Sequence, residues 1–421
     1  MVNKLSKKLI CFFHLNLHMR KTVLKQVKPT RKEMLEMKRV AKSIIDKIKI
    51  KKTKATLGGS GAKDTWLKGS HDIDIYVKFD HKYYAGMDIS KILEKKLKNH
   101  RTLHGSRDYF QMEKNGYDIE LIPIMDIKKV EDADNITDIS PFHAKWVRKH
   151  KHLTDDIRLA KAFAKANGFY GAESYIKGFS GYSLEILTIH YGGFNKLMKA
   201  VSQWKYKTVL DPENYHKGKI KLNQSKTISP LVLVDPVQST RNVTAVVSKE
   251  KYKLFIKMAK KYNRSPSHIH FTKEPFSLEK LKKKKGKLVC LTIKPLDGKR
   301  DVVGAKLLKS FEFMKRELYN QEFSIKHSGW HWEDNALLWF IIENKELTAK
   351  VKHYGPPMTS KKRLANFKAK WKGKRVYKED SKCYVIIERK YKNPESLLLE
   401  LQEHQYVISR INKIINHEVY D

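Results

Sequence analysis

Between Asp72 and Phe79 apolar and polar residues alternate: Ile73, Ile75 and Val77 fall on one side, Asp72, Asp74 and Tyr76 on the other. That period of two predicts a half-buried strand with both aspartates turned away from the core. Residues 117–123 repeat the pattern, and again two acids, Asp118 and Glu120, share a face. Ahead of the first of these strands, residues 54–57 predict a short strand that runs into Gly58-Gly59-Ser60-Gly61-Ala62-Lys63. The residues after Ser60 (Ala62, Lys63, Thr65, Trp66, Leu67) predict a helix opening there.

Helical spacing governs much of the rest. Thr30-Arg31-Lys32-Glu33 fits a capping box, and Met34, Met37, Ala41, Ile44 and Ile48 continue it at helical intervals. Asp155 and Asp156 open a helix that Asn167-Gly168 closes, and further helices are predicted over 181–191 and 245–262. Asp211, Pro212, Asn214, Ser229-Pro230 and Asp235-Pro236 predict an irregular stretch between them. A lysine run over 280–287 reads as a solvated loop. Beyond it the pattern predicts strands over 289–293, 323–325, 336–343 and 385–389. Leu307, Leu308, Phe311, Met314 and Leu318 mark one helix, and Asn393-Pro394 introduces another. No internal repeat is present. The fold expected is a multidomain α+β chain, and 421 residues suit two to four domains.

The chemistry sits in the first third. Glycines permit the tight turn and close backbone approach that a phosphate needs, and a helix N-terminus favours negative charge. Two carboxylates at i and i+2 on one strand face can hold divalent ions about 3.5–4 Å apart. Magnesium takes oxygen ligands and shares them with substrate phosphates. An isolated Asp-x-Asp is more often a solvent-facing pair. The phosphate-type turn before it, and the third acidic strand after it, favour a site for attack on a nucleoside triphosphate.

Charge narrows the partner. Lys and Arg total 87 against 45 Asp and Glu, a formal net charge of +42. Such an excess implies a polyanion, though lysine-rich composition also follows codon usage. No apolar run reaches the roughly 20 residues of a membrane span. Cys11, Cys290 and Cys383 make no zinc pattern and suit a reducing compartment. At the start, Lys4, Lys7 and Lys8 precede Leu9-Ile10-Cys11-Phe12-Phe13. This run is broken by His14, Asn16 and His18, so it reads as an extension rather than a signal peptide.

A Gly-Ser turn, an acidic pair and a third acid on a later strand resemble the DNA polymerase β-type nucleotidyltransferases. Further blocks follow in order: Ser140-Pro141-Phe142-His143, Arg158-Leu159-Ala160-Lys161, residues 168–173 (GFYGAE) and 178–182 (GFSGY). Asp235-Pro236 then leads to Arg241-Asn242-Val243, and His353-Tyr354-Gly355-Pro356-Pro357 lies near the end. With these blocks the chain, from about residue 24 to its end, is similar to the archaeal, class I CCA-adding tRNA nucleotidyltransferases.

The resemblance implies an N-terminal extension (1–23), an α/β nucleotidyltransferase catalytic head (24–142), a helical nucleotide-binding neck (143–270) and a C-terminal α+β body and tail that bind RNA (271–421). It implies template-independent addition of C, C and A to the 3′ end of tRNA from CTP and ATP, releasing pyrophosphate. Two Mg2+ ions would be held by Asp72, Asp74 and Glu120. Glu120 stands where the family usually has Asp, three residues before Pro123, and Asp118 is the fallback third ligand. Gly59, Ser60, Lys63, His143, Lys161 and Tyr170 would bind the nucleotide, and Arg241 would help read its base. The partner would be tRNA, gripped at the acceptor stem and T arm; the setting would be cytoplasmic, without a membrane, and a homodimer is compatible with it. A poly(A)- or oligoadenylate-type transferase and a non-catalytic RNA-binding relative are the alternatives. His268 and His270 have metal-like spacing but no third ligand nearby in sequence. Trp330, His331 and Trp332 suit either RNA stacking or core packing.

Overall fold

The computed structural model describes residues 19–421; the predicted extension before residue 19 and Cys11 lie outside them. The chain forms two compact units that divide between Glu274 and Pro275.

The first unit begins with a helical stretch over residues 19–27, whose Met19 and Val23 are buried among the helices of the same unit. Arg20 clamps Asp156 through two bonds of 2.6 and 2.8 Å. The Arg31–Ile45 helix starts at the expected capping box: the Thr30 side chain accepts from Glu33 N, and Glu33 accepts from Thr30 N. A cap of this kind contributes roughly 1 kcal/mol.

A five-stranded sheet follows, in the order β1-β2-β5-β4-β3. Its strands are β1 (Thr53–Leu57), β2 (Asp72–Asp80), β3 (Arg101–Leu103), β4 (Tyr109–Lys114) and β5 (Tyr117–Asp126). Only β2 and β5 run parallel within it. Ile73, Ile75, Val77, Ile119 and Leu121 fill one face against Met37, Val40, Ala41 and Ile44. Each such side chain, fully buried, is worth about 1.5–3 kcal/mol. A one-residue slip would put the aspartates into that core. The other face carries the acids.

The helical part of this unit comprises Thr154–Ala166, Gly181–Tyr191, Phe194–Ser202 and Lys249–Arg264. An aromatic core of Phe163, Phe169, Phe179, Phe194, Phe255 and Tyr262 binds them. Three expectations need correction here. The helix at Ser60 spans only Gly59–Lys63, because Asp64 takes a left-handed conformation (φ 52°) that ends it; Thr65, Trp66 and Leu67 are outside it. The Lys249–Arg264 helix starts later than predicted, since Ser248 caps it by accepting from Lys251 N. The stretch predicted to be irregular contains a parallel pair, β6 (Thr208–Leu210) and β7 (Leu231–Leu233).

The second unit has an antiparallel sheet in the order β14-β8-β10-β9. Its strands are β8 (Lys287–Lys294), β9 (Ile325–Trp332), β10 (Ala336–Ile342) and β14 (Lys413–Tyr420). The Arg300–Asn320 and Pro394–Gln402 helices share a core with it, including Leu291, Leu307, Met314, Phe340 and Leu398. Asn393 caps the latter helix, as expected. Strand β9 begins where the 323–325 strand was predicted to end, so Phe323 is a core residue ahead of it. A second sheet joins β11 (Lys350–Pro357), β12 (Val376–Glu379) and β13 (Lys382–Glu388) in the order β11-β13-β12. Phe367 from the Lys361–Lys370 helix packs there on Cys383 and Val385. Trp330 and Trp332 pack partly on the core under the four-stranded sheet of this unit, while Arg300 lies 4.2 Å over the Trp332 ring.

Candidate active site

The parallel register of β2 and β5 sets Asp74 opposite Glu120 and Asp72 opposite Asp118. Side chains paired across a sheet share a face, so four carboxylates line one surface in two rows. Asp72 and Asp118 are exposed, whereas Asp74 and Glu120 are partly buried. All are hard oxygen donors, the set a divalent cation takes. Among the described residues, no three His, Cys, Asp or Glu side chains close into a metal cage. His270, one of the metal-spaced pair, is buried with its Nε2 3.0 Å from Ser265 O.

The glycine turn lies directly on Asp74. Gly58 N donates to Asp74 O at 2.7 Å. Gly59 has a φ of +48°, and a Cβ added to it would stand 1.6 Å from Asp74 Oδ2. Both facts require glycine. Burial raises the Asp74 carboxyl; Lys63 opposes that rise and Asp72 adds to it. Tyr76, on the same strand face, has its ring under Gly58, and burial pushes its hydroxyl up to about 12.

A second cluster joins the residues after the turn to the helices. Glu185, fully buried on the Gly181–Tyr191 helix, accepts from Lys63 Nζ (2.7 Å), Lys161 Nζ (2.7 Å) and Thr65 Oγ1 (2.6 Å). Lys161 spends its other donors on Thr65 O and Oγ1. Burial lowers the Lys161 pKa despite the ion pair. Burial also opposes charge on Glu185, but Lys161 and Lys63 together outweigh it and hold that carboxyl below the usual range. Arg158, equally buried, donates to Asp64 O, Asp64 Oδ1 and Trp66 O, which fixes the loop behind the turn. Tyr170 meets Lys161 at Gly181: a Cβ there would lie 2.9 Å from Tyr170 Oη and 3.6 Å from Lys161 Nζ. Ser60 is half-buried on the turn, its carbonyl accepting from Thr65 N.

The third cluster centres on Asp235, which is fully buried. It accepts from Arg241 Nη1 (2.9 Å), Tyr182 Oη (3.1 Å) and Val237 N (3.0 Å), and His143 Nε2 is 3.1 Å away. Burial works against its charge, but these partners keep its pKa low. An ionised carboxylate only accepts, so Nε2 of His143 carries a proton. Burial lowers the His143 pKa against the pull of Asp235. The His143 and Tyr182 rings are 4.1 Å apart, and Lys63 Nζ is 5.6 Å from the Tyr182 ring. Lys63 thus touches both clusters.

Of the residues singled out from sequence, Lys63 and Lys161 meet through Glu185, and His143 and Arg241 meet through Asp235. Glu185 lies in no motif that carried the resemblance. Asp235 opens one of the blocks that carry the resemblance, but nothing in the sequence assigned it a role beyond an Asp-Pro turn. Buried acids that neutralise separate basic residues leave no local pattern; a glutamate in the otherwise apolar-rich run 181–191 was the one available hint.

Comparison with known proteins identifies the family. Three family profiles match in sequence: a nucleotidyltransferase domain over residues 37–143, the second domain of tRNA nucleotidyltransferases over 155–272, and the C-terminal domain of the CCA-adding enzyme over 287–418. The CCA-adding enzyme of Nanoarchaeum equitans is 37% identical over 346 residues, covering 80% of this chain and 84% of its own. That of Methanocaldococcus jannaschii is 30% identical over 420 residues, with 94% and 93% covered. Among solved structures, the Cid1 poly(U) polymerase is similar at a TM-score of 0.48 and 13% identity, over 61% of this chain and 98% of that one. A nucleotidyltransferase head followed by two family-specific domains, matched along most of its length, places this chain in the archaeal-type CCA-adding nucleotidyltransferases.

Proposed function

We propose that this enzyme adds C, C and A to the 3′ end of tRNA by in-line attack of the terminal hydroxyl on the α-phosphate of CTP or ATP. The observation that carries the reading is the β2–β5 register, which aligns Asp74 with Glu120 on the face that the glycine turn covers. Two magnesium ions held by Asp72, Asp74 and Glu120, when bound, would lower the pKa of the attacking hydroxyl and stabilise the leaving pyrophosphate.

The chain's own side chains do the positioning. Gly59 and Ser60 present the turn to the triphosphate. Lys63 and Lys161 supply positive charge to it, and Tyr170 orients the sugar. Arg241, its guanidinium fixed by Asp235, presents its remaining donors to the base edge. His143 braces that arrangement. Such catalysis is positioning and electrostatics in a partly dry site, without a covalent enzyme intermediate.

The basic excess suits a polyanionic acceptor, and the second unit would grip the acceptor stem and T arm. Among the described residues no helix is long and apolar enough to cross a membrane; the reading places the enzyme in the cytoplasm with its tRNA. The experiment is direct: give the purified protein tRNA ending before CCA, with labelled CTP and ATP, and size the product. Three added nucleotides support the reading. A long A-tail supports a poly(A)-type transferase instead, and no extension supports a non-catalytic RNA binder.

A further inference from the structure

Glu185 answers two lysines with one carboxylate. Its Oε2 takes Lys63 and its Oε1 takes Lys161 and Thr65, and it is wholly buried. The side chains of Lys63 and Lys161 are only 11% and 4% exposed. Both ammonium groups are thus fixed by one carboxylate, in surroundings where charge interactions are strong. Besides Glu185, the charged groups facing Lys161 are Lys63, which also faces the Asp74 carboxylate, and Arg158, which Asp64 and Asp155 pair.

The cluster adjoins the turn that lies over the acidic strand. Lys63 ends the short helix that begins at Gly59, the residue lying on the Asp74 carboxylate. Lys161 and Glu185 come from two helices of the following segment, so the carboxylate ties the turn to those helices. We propose that Glu185 is a positioning residue: it holds the Lys63 and Lys161 ammonium groups side by side as a receptor for the triphosphate of the incoming nucleotide. This rests on the reading above, in which both lysines meet the triphosphate.

A glutamine at 185 has nearly the same shape but one acceptor oxygen. Its amide NH2 would face an ammonium or the Thr65 hydroxyl, donor against donor. The test uses the full-length enzyme with tRNA ending before CCA and CTP as the varied nucleotide, comparing Glu185→Gln, Glu185→Asp and Lys63→Ala. Loss of one charge-assisted bond should raise KM for CTP in Glu185→Gln by about tenfold or more. Its kcat should stay within about threefold, its affinity for tRNA should be unchanged, and Glu185→Asp should recover part of the loss. An unchanged or lower KM in Glu185→Gln, with a raised KM in Lys63→Ala, overturns the positioning role while the site reading stands. If Lys63→Ala also leaves KM unchanged, the site reading itself fails. Loss of the folded state in both Glu185 variants, seen by circular dichroism, would make the residue structural and overturn the proposal as well.

Discussion

The carboxylate of Asp74 occupies the space a side chain on Gly59 would need, with Oδ2 only 1.6 Å from where a Cβ would stand. The turn and the acidic strand are therefore packed directly on each other, and Gly58 N also donates to Asp74 O at 2.7 Å. Gly59→Ala should push Asp74 off its position and strain a residue at φ +48°. Misplacement of about 1 Å costs on the order of 10²-fold in rate. Steady-state CTP incorporation should fall by that much, with the circular dichroism spectrum unchanged.

The four-acid face makes the third ligand a question of register. Asp74 pairs with Glu120, and Asp72 with the exposed Asp118. The partly buried row is the one beneath the glycine turn, which favours Glu120. Glu120→Gln should reduce kcat by about 10³-fold or more, the scale of losing a group that stabilises developing charge. Asp118→Asn should stay within about threefold, as expected for an exposed polar group outside the machinery. A magnesium titration of activity checks both, since loss of a ligand moves the half-saturating concentration upward. The reverse ranking would transfer the role to Asp118.

Much of the head was legible because its elements obey local rules. The capping box at Thr30 and the alternation in β2 and β5 follow from spacings within a few residues, as does the Gly181–Tyr191 helix beyond the head. Strands β3, β4, β11, β12 and β14 were not read, because their sequences lack a clean alternation. β4 is Tyr-Phe-Gln-Met-Glu-Lys, with only Phe110 fully inward. The short helix at Ser60 was overextended because the residue that stops it, Asp64, is held by Arg158 from 94 positions away. The same holds for the site. Side chains on the turn and strand could be named from sequence, but Glu185 reaches Lys63 across 122 positions and Asp235 reaches His143 across 92. Buried ion pairs are set by tertiary packing, which no window of sequence contains.

Asp235 suggests a test of nucleotide choice. Four donors converge on it, and one is the Arg241 guanidinium that would read the base. Asp235→Asn removes the charge and turns a donor toward Arg241 or His143. A freed guanidinium fork loses its fixed direction, so discrimination between bases should relax. One to two kcal/mol of lost orientation corresponds to roughly 5–30-fold in the ratio of correct to incorrect incorporation. Competition of CTP against UTP on tRNA ending before CCA measures that ratio. Unaltered discrimination with a lowered rate would show that Asp235 supports the fold of the site and not its selectivity.

Acid stability should carry the signature of Glu185. Its carboxyl is held below the ordinary value of 4.5 in the folded state, because the pull of Lys161 and Lys63 exceeds the cost of burial. A group with a depressed folded pKa stabilises the protein fully above its unfolded pKa. That stabilisation fades as pH falls from 4.5 toward the folded value, since the unfolded chain binds the proton first. Glutamine at this position cannot titrate, so the Glu185→Gln variant starts less stable at pH 7 but lacks this component of acid loss. Between pH 5 and pH 3 the melting temperature of the wild type should therefore fall more steeply than that of the variant, by ~3 °C or more. Other carboxylates titrate over the same range in both proteins and cancel in the difference. Parallel slopes in differential scanning calorimetry would mean that the two lysines do not hold Glu185 ionised in the folded protein.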